Sequence, residues 1–439
     1  MQFETSEIAE VTGGEVFGRP ATVEGVSIDS RALTPGQMFV PLVAERDGHD
    51  FIGSAIEAGA TAYLTNGPVG AGTAIRVEDT VAAFSALGGR ARSRLPDRVV
   101  GITGSVGKTS LKDLLAAVAR KTWRTSASIG SFNNELGVPL TLTNAPDDTE
   151  LVVVEMGARG LGHISRLCEV ARPTVGIVTV VAGVHLETFG SVEGVARAKS
   201  ELVRALPSSG TAVLNADDDL VVGMAPFTEA TVVTFGRIRG EVRAENVEMG
   251  DDLRARFTLR SPWGTAAVHL GVAGEHQVTN ALGAAAAALA LGASPDSVAA
   301  GLGDAQLSAM RMDLATLSNG LRLLDDTYNA SPTSMRAALL SLAGLPAVRR
   351  FAVLGTMAEL GPGAAEAHLA IAAEAQALGI RVISVAEPRY GLADDDALGD
   401  SAEAVDRLQA MKLGSDDAVL VKGSRSAGLE RVVAGLRAR

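Results

Sequence analysis

Val99-Val-Gly-Ile-Thr-Gly-Ser-Val-Gly-Lys-Thr-Ser110 is the stretch that decides the fold of this chain. Val99–Thr103 is a short apolar run of the kind buried in parallel sheets, and a helical pattern opens after it. The glycines between them let backbone N–H groups turn inward on phosphate oxygens, and the helix N-terminus adds its positive dipole. Strict Walker spacing asks for a glycine at position 102, where this chain has Ile102, so the loop is the shorter G-x-x-G-K-T form starting at Gly104. Gly104, Ser105, Val106, Gly107, Lys108, Thr109 and Ser110 are therefore expected to bind a nucleotide. Lys108 would bridge its β- and γ-phosphates, and the Thr109 hydroxyl would ligate Mg²⁺. A glycine-rich turn with a chance Lys-Thr pair is the bland alternative, and the strand–loop–helix setting argues against it.

Strand–helix alternation continues outward from this loop. Leu151–Glu155, Val175–Val181 and Thr211–Asn215 read as further buried strands, Leu253–Arg260 and Ala266–Leu270 as an antiparallel addition, and Ala281–Leu291 as helix. Upstream, Val26–Ser30, Met38–Val43 and Ala62–Thr65 read as strands, Asp50–Ala58 and Thr80–Leu95 as helices, with Pro96-Asp97 closing the segment. Downstream, Leu321–Asp326, Arg350–Leu354, Ile380–Val385 and Ala418–Val421 are strands. They alternate with the helices Met335–Ala343, Ala364–Leu378, Val405–Met411 and Leu429–Leu436, the rhythm of a second doubly wound α/β unit. The division expected is 1–97, 98–314 and 315–439, three domains in an α/β chain of 439 residues.

Composition narrows the class. A formal charge of −12 argues against a broad nucleic-acid surface while leaving room for a local basic site. The single Cys168 excludes an internal disulfide and a thiolate zinc site, and suits a reducing cytosol. No basic-then-apolar signal segment stands near residue 1, and no apolar run of ~18 residues could span a bilayer. A cytoplasmic protein without a transmembrane segment or nucleic-acid partner is expected, with a monomer as the working state. Of 39 basic residues only six are lysines, so each of Lys108, Lys112, Lys121, Lys199, Lys412 and Lys422 is worth attention.

Glu155 ends a strand at the carboxyl edge of the sheet, from where a carboxylate reaches a metal at the phosphate loop; a solvated strand-end glutamate is the alternative. His185, in Gly183-Val-His-Leu-Glu187, also follows a strand, where a histidine is as easily structural as ligating. Lys199 sits in a helical stretch, Ser191-Val-Glu-Gly-Val-Ala-Arg-Ala-Lys-Ser-Glu201, and on residues alone reads as a solvated cation.

Together these motifs resemble the Mur ligases of bacterial cell-wall synthesis, over nearly the whole chain, and within them the branch that adds D-alanyl-D-alanine. Asp29-Ser-Arg31, Pro35-Gly36 and Asp47-Gly-His-Asp-Phe51 look like that branch's uridine-nucleotide domain. The phosphate loop, Asn133-Asn-Glu-Leu-Gly-Val-Pro-Leu-Thr141, Glu155-Met-Gly157, His185-Leu-Glu-Thr-Phe-Gly-Ser191, Lys199 and Gly274-Glu-His-Gln-Val-Thr-Asn280 look like its ATPase domain. Asp325-Asp-Thr-Tyr-Asn-Ala-Ser-Pro332, Met335 and Val421-Lys-Gly-Ser-Arg425 look like its C-terminal domain. The central motifs are common to all Mur ligases and to folylpolyglutamate synthases. Two positions depart from the family's usual pattern: Ser331 stands where it reads Asn, and Thr356, in Gly355-Thr-Met-Ala-Glu-Leu-Gly361, where it reads Asp.

The resemblance implies a three-domain architecture with a central P-loop ATPase domain and a Rossmann-like C-terminal domain. It implies ATP and Mg²⁺, with UDP-N-acetylmuramoyl tripeptide and D-alanyl-D-alanine as substrates and an acyl phosphate between them. By the same likeness Lys199 is carbamylated by CO₂ and joins Thr109, Glu155 and His185 around the metals. Asn280 and Arg311 contact the nucleotide, and Asp326 meets its ribose. Ser30, Arg31, Asn133, Asn134, Tyr328, Asn329 and Lys422 are the implied substrate-binding residues. The rivals are a third-residue-adding Mur ligase, a folate polyglutamylating enzyme, and a nucleotide-binding pseudo-ligase that joins nothing.

Overall fold

The computed structural model describes residues 1–43, 46–183 and 186–438. At its centre Thr231–Phe235, Thr211–Asn215, Val175–Val178, Val99–Thr103, Leu151–Glu155 and Thr125–Ala127 lie side by side in that order as an all-parallel sheet. Val99–Thr103 and Leu151–Glu155 are buried along their whole length, as strands covered by helices on both faces must be. Val175–Val178 ends three residues earlier than expected. Beyond it Thr179 N–H still donates to Thr103 O (3.0 Å), and the chain then bonds the phosphate loop: Ser105 N–H donates to Val180 O (2.8 Å) and the Thr179 hydroxyl to Val106 O (2.6 Å).

On one face of this sheet the loop helix Lys108–Ala119 packs against Gln277–Ala290, whose Ala281–Ala288 run is buried all round. Small side chains permit that approach; a methyl on Gly283 would already press on Leu111 at 2.7 Å. Arg254–Ser261 and Gly264–Ala273 form the expected antiparallel addition, joined by Arg243–Met249. That third strand escaped the sequence pattern because its residues are mostly polar and none is fully buried.

The N-terminal strands Glu15–Phe17, Ala74–Arg76, Ala62–Thr65, Met38–Phe39 and Val26–Ser27 make a second, mixed sheet. Two of them are shorter than expected. After Ser27, its hydroxyl and the backbone of Asp29 bond each other, a local turn that competes with the ladder, and Pro41 removes a donor after Phe39. The helix Thr80–Arg94, N-capped by Asp79, docks this sheet on the centre, with Gly88 against Pro139. The Asn144 side chain adds a clamp: its Oδ1 accepts from Val26 N–H (3.0 Å) and its Nδ2 donates to Val26 O (2.9 Å).

The C-terminal sheet runs Asp313–Thr316, Arg322–Asp326, Asp417–Lys422, Arg349–Leu354, Arg381–Val385, Ala397–Leu398. All neighbours are parallel except the edge strand Asp313–Thr316, which straddles the expected division at residue 314. Separate apolar clusters, one around Leu324, Ala352 and Leu420 and the other around Leu323, Val353 and Val419, cover its two faces, as in a doubly wound sheet.

Candidate active site

Val99–Thr103 runs into the phosphate loop, and Lys108 opens the helix that follows. Gly104 and Gly107 have φ of +149° and +83°, and a methyl on either would collide, with the Thr179 hydroxyl and with Asn280 Oδ1 respectively. Here only glycine fits. Lys108 Nζ folds back to donate to Gly104 O (2.7 Å) and Ser105 O (3.3 Å), stiffening the loop. Ser105 Oγ donates to Ala182 O (3.0 Å), tying the loop to the neighbouring strand's end.

Parallel pairing sets Glu155 opposite Ile102, so its carboxylate reaches the first turn of the loop helix. It is 1% exposed, which excludes the solvated strand-end alternative. Its Oε2 accepts from the Thr109 hydroxyl (2.7 Å) and its Oε1 from Asn133 Nδ2 (2.8 Å). Asn134 turns the other way, its Oδ1 accepting from Gly137 N–H (3.1 Å) at the start of the helix Gly137–Thr143.

Lys199 lies on the helix Val192–Arg204 among Val195, Ala198, Leu202 and Val203, its apolar face, and is only 2% exposed. The solvated-cation alternative is thereby excluded. Burial, with Lys108 repelling it and Glu201 offsetting in part, brings the amine from 10.5 down to about 7. Lys108 is pushed down as well, by burial first, while Glu155 acts the other way. His185 lies outside the described residues.

Facing this wall are residues from the C-terminal sheet. Register places Lys422 beside Asp326, and Lys422 Nζ donates to Asp326 Oδ2 (2.5 Å) and Asn329 O (2.8 Å). Arg311 crosses between the two halves: its guanidinium lies 4.2 Å over the Tyr328 ring and its Nη2 donates to Thr109 Oγ1 (3.0 Å). The Tyr328 hydroxyl bonds Ser131 of the central unit. A cavity of about 1250 Å³ opens between these walls. It is lined by Gly104–Ser110, Asn133, Asn134, Glu155, Lys199, Asn280, Arg311, Asp326, Tyr328, Asn329 and Lys422. Ser30 and Arg31 are not among its lining residues; the Arg31 guanidinium is largely exposed and pairs with Asp29 of its own turn (2.7 Å).

A cavity walled by a phosphate loop on one side and by an Asp–Lys pair from a second α/β unit on the other invites comparison with known ligases. Family models match three stretches: one described as Mur ligase middle domain at residues 102–288, one as Mur ligase, glutamate ligase domain at 310–425, and one as Mur ligase family, catalytic domain at 22–83. The UDP-N-acetylmuramoyl-tripeptide–D-alanyl-D-alanine ligase of Mycobacterium tuberculosis is 39% identical, over 99% of this chain and 98% of its own. The chain belongs to the Mur ligase family.

Two solved Mur ligases superpose on all or nearly all of the chain. MurF from Acinetobacter baumannii gives a TM-score of 0.90 at 29% identity, covering 100% of this chain and 99% of that one. MurF ligase from Thermotoga maritima, solved in complex with ADP, gives 0.81 at 27%, covering 95% and 97%. The three-domain α/β architecture is that of the family.

In this Mur ligase several residues that support the site were given no role by sequence reasoning. Lys112, one turn after Lys108 and 2% exposed, donates to Ser128 O and Gly130 O (2.8 Å each), pinning the segment that leads to Asn133. Its rarity as a lysine and its i+4 spacing from Lys108 were the available signals. Thr179 and Asn215 back the loop, Asn215 Nδ2 donating to Thr179 O (2.8 Å). No short motif marked either. Ser331 N-caps the helix Pro332–Gly344 in a capping box with Ser334; Ser and Asn are both good caps, so that departure leaves the helix start intact.

Proposed function

We propose that this Mur ligase joins D-alanyl-D-alanine to the terminal carboxylate of UDP-N-acetylmuramoyl tripeptide with hydrolysis of ATP, a cytoplasmic step of peptidoglycan precursor synthesis. The observation that carries the reading is the full-length 39% identity to a relative of that name. The cavity supports it: Lys108, Thr109, Glu155, Lys199, Arg311, Asp326 and Lys422 all line one space.

The polyphosphate would lie on the loop amides, with Lys108 moving from Gly104 O and Ser105 O to phosphate oxygens. Arg311 has a spare donor for it, since its buried Nε has no hydrogen-bond partner among the described residues. The tripeptide carboxylate attacks the γ-phosphorus, forming an acyl phosphate and releasing ADP. The dipeptide amine then attacks the acyl carbon, and phosphate leaves as the amide forms. Two anions meet in the first step, so the cations Lys108 and Arg311 offset their repulsion, and positioning contributes most of the rest. Arg311 and the Tyr328–Ser131 bond hold the C-terminal wall against the loop, which keeps water from the acyl phosphate.

Thr109 and Glu155 offer the hard oxygens Mg²⁺ prefers, and would hold it when bound; it supplies charge neutralisation. Lys199 fits the carbamate role: an amine near 7 is about half neutral at neutral pH, and only the neutral amine adds CO₂, losing one proton to become a carboxylate. Ser30 and Arg31, away from the cavity, are assigned to the uridine end of the substrate. A domain division at 97 and near 314, with the edge strand Asp313–Thr316 carried by the C-terminal unit, and a monomeric state belong to the same reading.

A phosphate-release assay with UDP-muramoyl tripeptide tests it, offering D-alanyl-D-alanine, free amino acids and glutamate separately. Stimulation by the dipeptide alone is expected. Stimulation by glutamate would point to a polyglutamylating enzyme, and none by any amine to a pseudo-ligase.

A further inference from the structure

Ala358, Glu359 and Leu360 reach the cavity wall from the loop after Arg349–Leu354, a segment without helix or strand of its own. Its backbone is held residue by residue. Gly355 O accepts from the Tyr390 hydroxyl (2.9 Å), Met357 N–H donates to His368 Nε2 (2.9 Å), and Ala358 N–H donates to Ser424 Oγ (2.9 Å). Thr356, the family departure, takes a hydrogen bond from Arg389 Nη2 on its hydroxyl (3.1 Å). Glu359 then adopts φ +62°, a left-handed conformation that a non-glycine residue keeps only where its surroundings over-determine it.

His368 is the most buried of these supports, at 0% exposure. Its Nδ1 lies 2.6 Å from Ala364 O, one turn back on the helix Ala364–Ala377. A carbonyl only accepts, so Nδ1 carries the hydrogen and Nε2 keeps the lone pair that Met357 N–H needs. The carboxylate of Glu387, 3.5 Å from Nε2, would draw a second proton onto the ring. Arg389 counters it with a two-pronged grip on Glu387 (2.7 and 2.5 Å). Burial, too, holds the His368 imidazole below its ordinary pKa.

We propose that His368 is a positioning residue for the amine substrate: as its neutral Nδ1–H tautomer it holds Met357, and through it Ala358–Leu360, at the cavity wall that receives the incoming dipeptide. The placement of that amine rests on the function proposed above: Ala358–Leu360 line the same cavity as Gly104–Ser110, and with the phosphates on that loop the amine has to reach the acyl carbon from the C-terminal side. The two are separable, because the amine that stimulates wild-type phosphate release is identified first and the variants are then compared with that amine, whichever it is.

The test compares the full-length wild type with His368→Gln, which retains an acceptor for Met357 N–H, and His368→Leu, which removes it. For His368→Leu the KM of the amine substrate should rise about tenfold or more while the KM of ATP stays within about twofold, and His368→Gln should restore most of the loss. Equal losses for ATP and amine, or a glutamine variant as impaired as the leucine one, would overturn the proposal. Should His368→Leu not fold, nitrogen NMR of the wild-type ring decides. A protonated Nδ1 with a bare Nε2 supports the proposal, and the opposite tautomer or a doubly protonated ring refutes it.

Discussion

The Thr109 hydroxyl donates to Glu155 Oε2 at 2.7 Å, joining the first helical turn after the phosphate loop to the end of the neighbouring strand. Two residues 46 positions apart are thereby set as one oxygen cluster. Glu155→Gln should leave the fold intact, because the glutamine can still bond both Thr109 and a flipped Asn133 amide. Losing the carboxylate charge should lower kcat on the order of a hundredfold and raise the Mg²⁺ needed for half-maximal rate. An unchanged Mg²⁺ requirement would separate Glu155 from the metal.

Lys108→Ala should abolish ligation, leaving less than about one hundredth of wild-type turnover. It also deletes the bonds to Gly104 O and Ser105 O, so a melting temperature a few degrees lower is expected rather than an unchanged one. Turnover above a tenth of wild type would show that this loop is not where phosphate is transferred.

Lys199 has a pH signature of its own. With the folded-state amine at about 7 against 10.5 ordinarily, the unfolded chain binds a proton between those values that the folded chain does not. Stability therefore rises with pH across that window, and the proton binding that weakens the fold at neutral pH fades by its upper end. Lys199→Met in CO₂-free buffer should be more stable than wild type at pH 7 by a few kcal/mol, and that advantage should shrink towards pH 10. Urea midpoints at the two pH values measure it.

A carbamate at Lys199 makes a separate demand. Lys199→Ala should lose ligation and regain part of it with acetate, which brings a carboxylate to the vacated space, but not with chloride at equal ionic strength. Rescue by amines instead, or full activity of the variant, would refute the carbamate.

Arg31→Ala should raise the KM of the muramoyl substrate about tenfold while ATP and dipeptide are little affected. Its side chain is 88% exposed and bonded within its own turn to Asp29, so the melting temperature should hardly move. Weakened ATP use would reverse the roles assigned to the first two domains.

Much of the scaffold was legible in the residues because the forces that shape it are local or periodic. Val99–Thr103, Leu151–Glu155 and Thr211–Asn215 are continuous apolar runs, and strands buried on both faces admit little else. The glycines at 104 and 107 announce a backbone that no side chain could occupy. Even the burial of Lys199 was written in the chain, at one position of the stripe formed by Val195, Ala198, Leu202 and Val203; charge type alone had argued for solvent.

The second wall was legible only through the family resemblance, which named Arg311, Asp326, Tyr328, Asn329 and Lys422, because it depends on distances that no local pattern encodes. Arg311 meets Thr109 from 202 positions away, and Tyr328 meets Ser131 from 197, only because the C-terminal sheet brings the carboxyl ends of its strands to the cavity that the loop lines. Lys422 finds Asp326 through the parallel register of two strands 96 positions apart in the chain. His368 likewise reads as one residue of an alanine-rich helix until folding brings Met357 N–H to its ring. Periodic burial determined the sheets and the loop; the packing of one sheet against another decided what the loop faces, since side chains that share no segment are brought together only by the surfaces their elements bury.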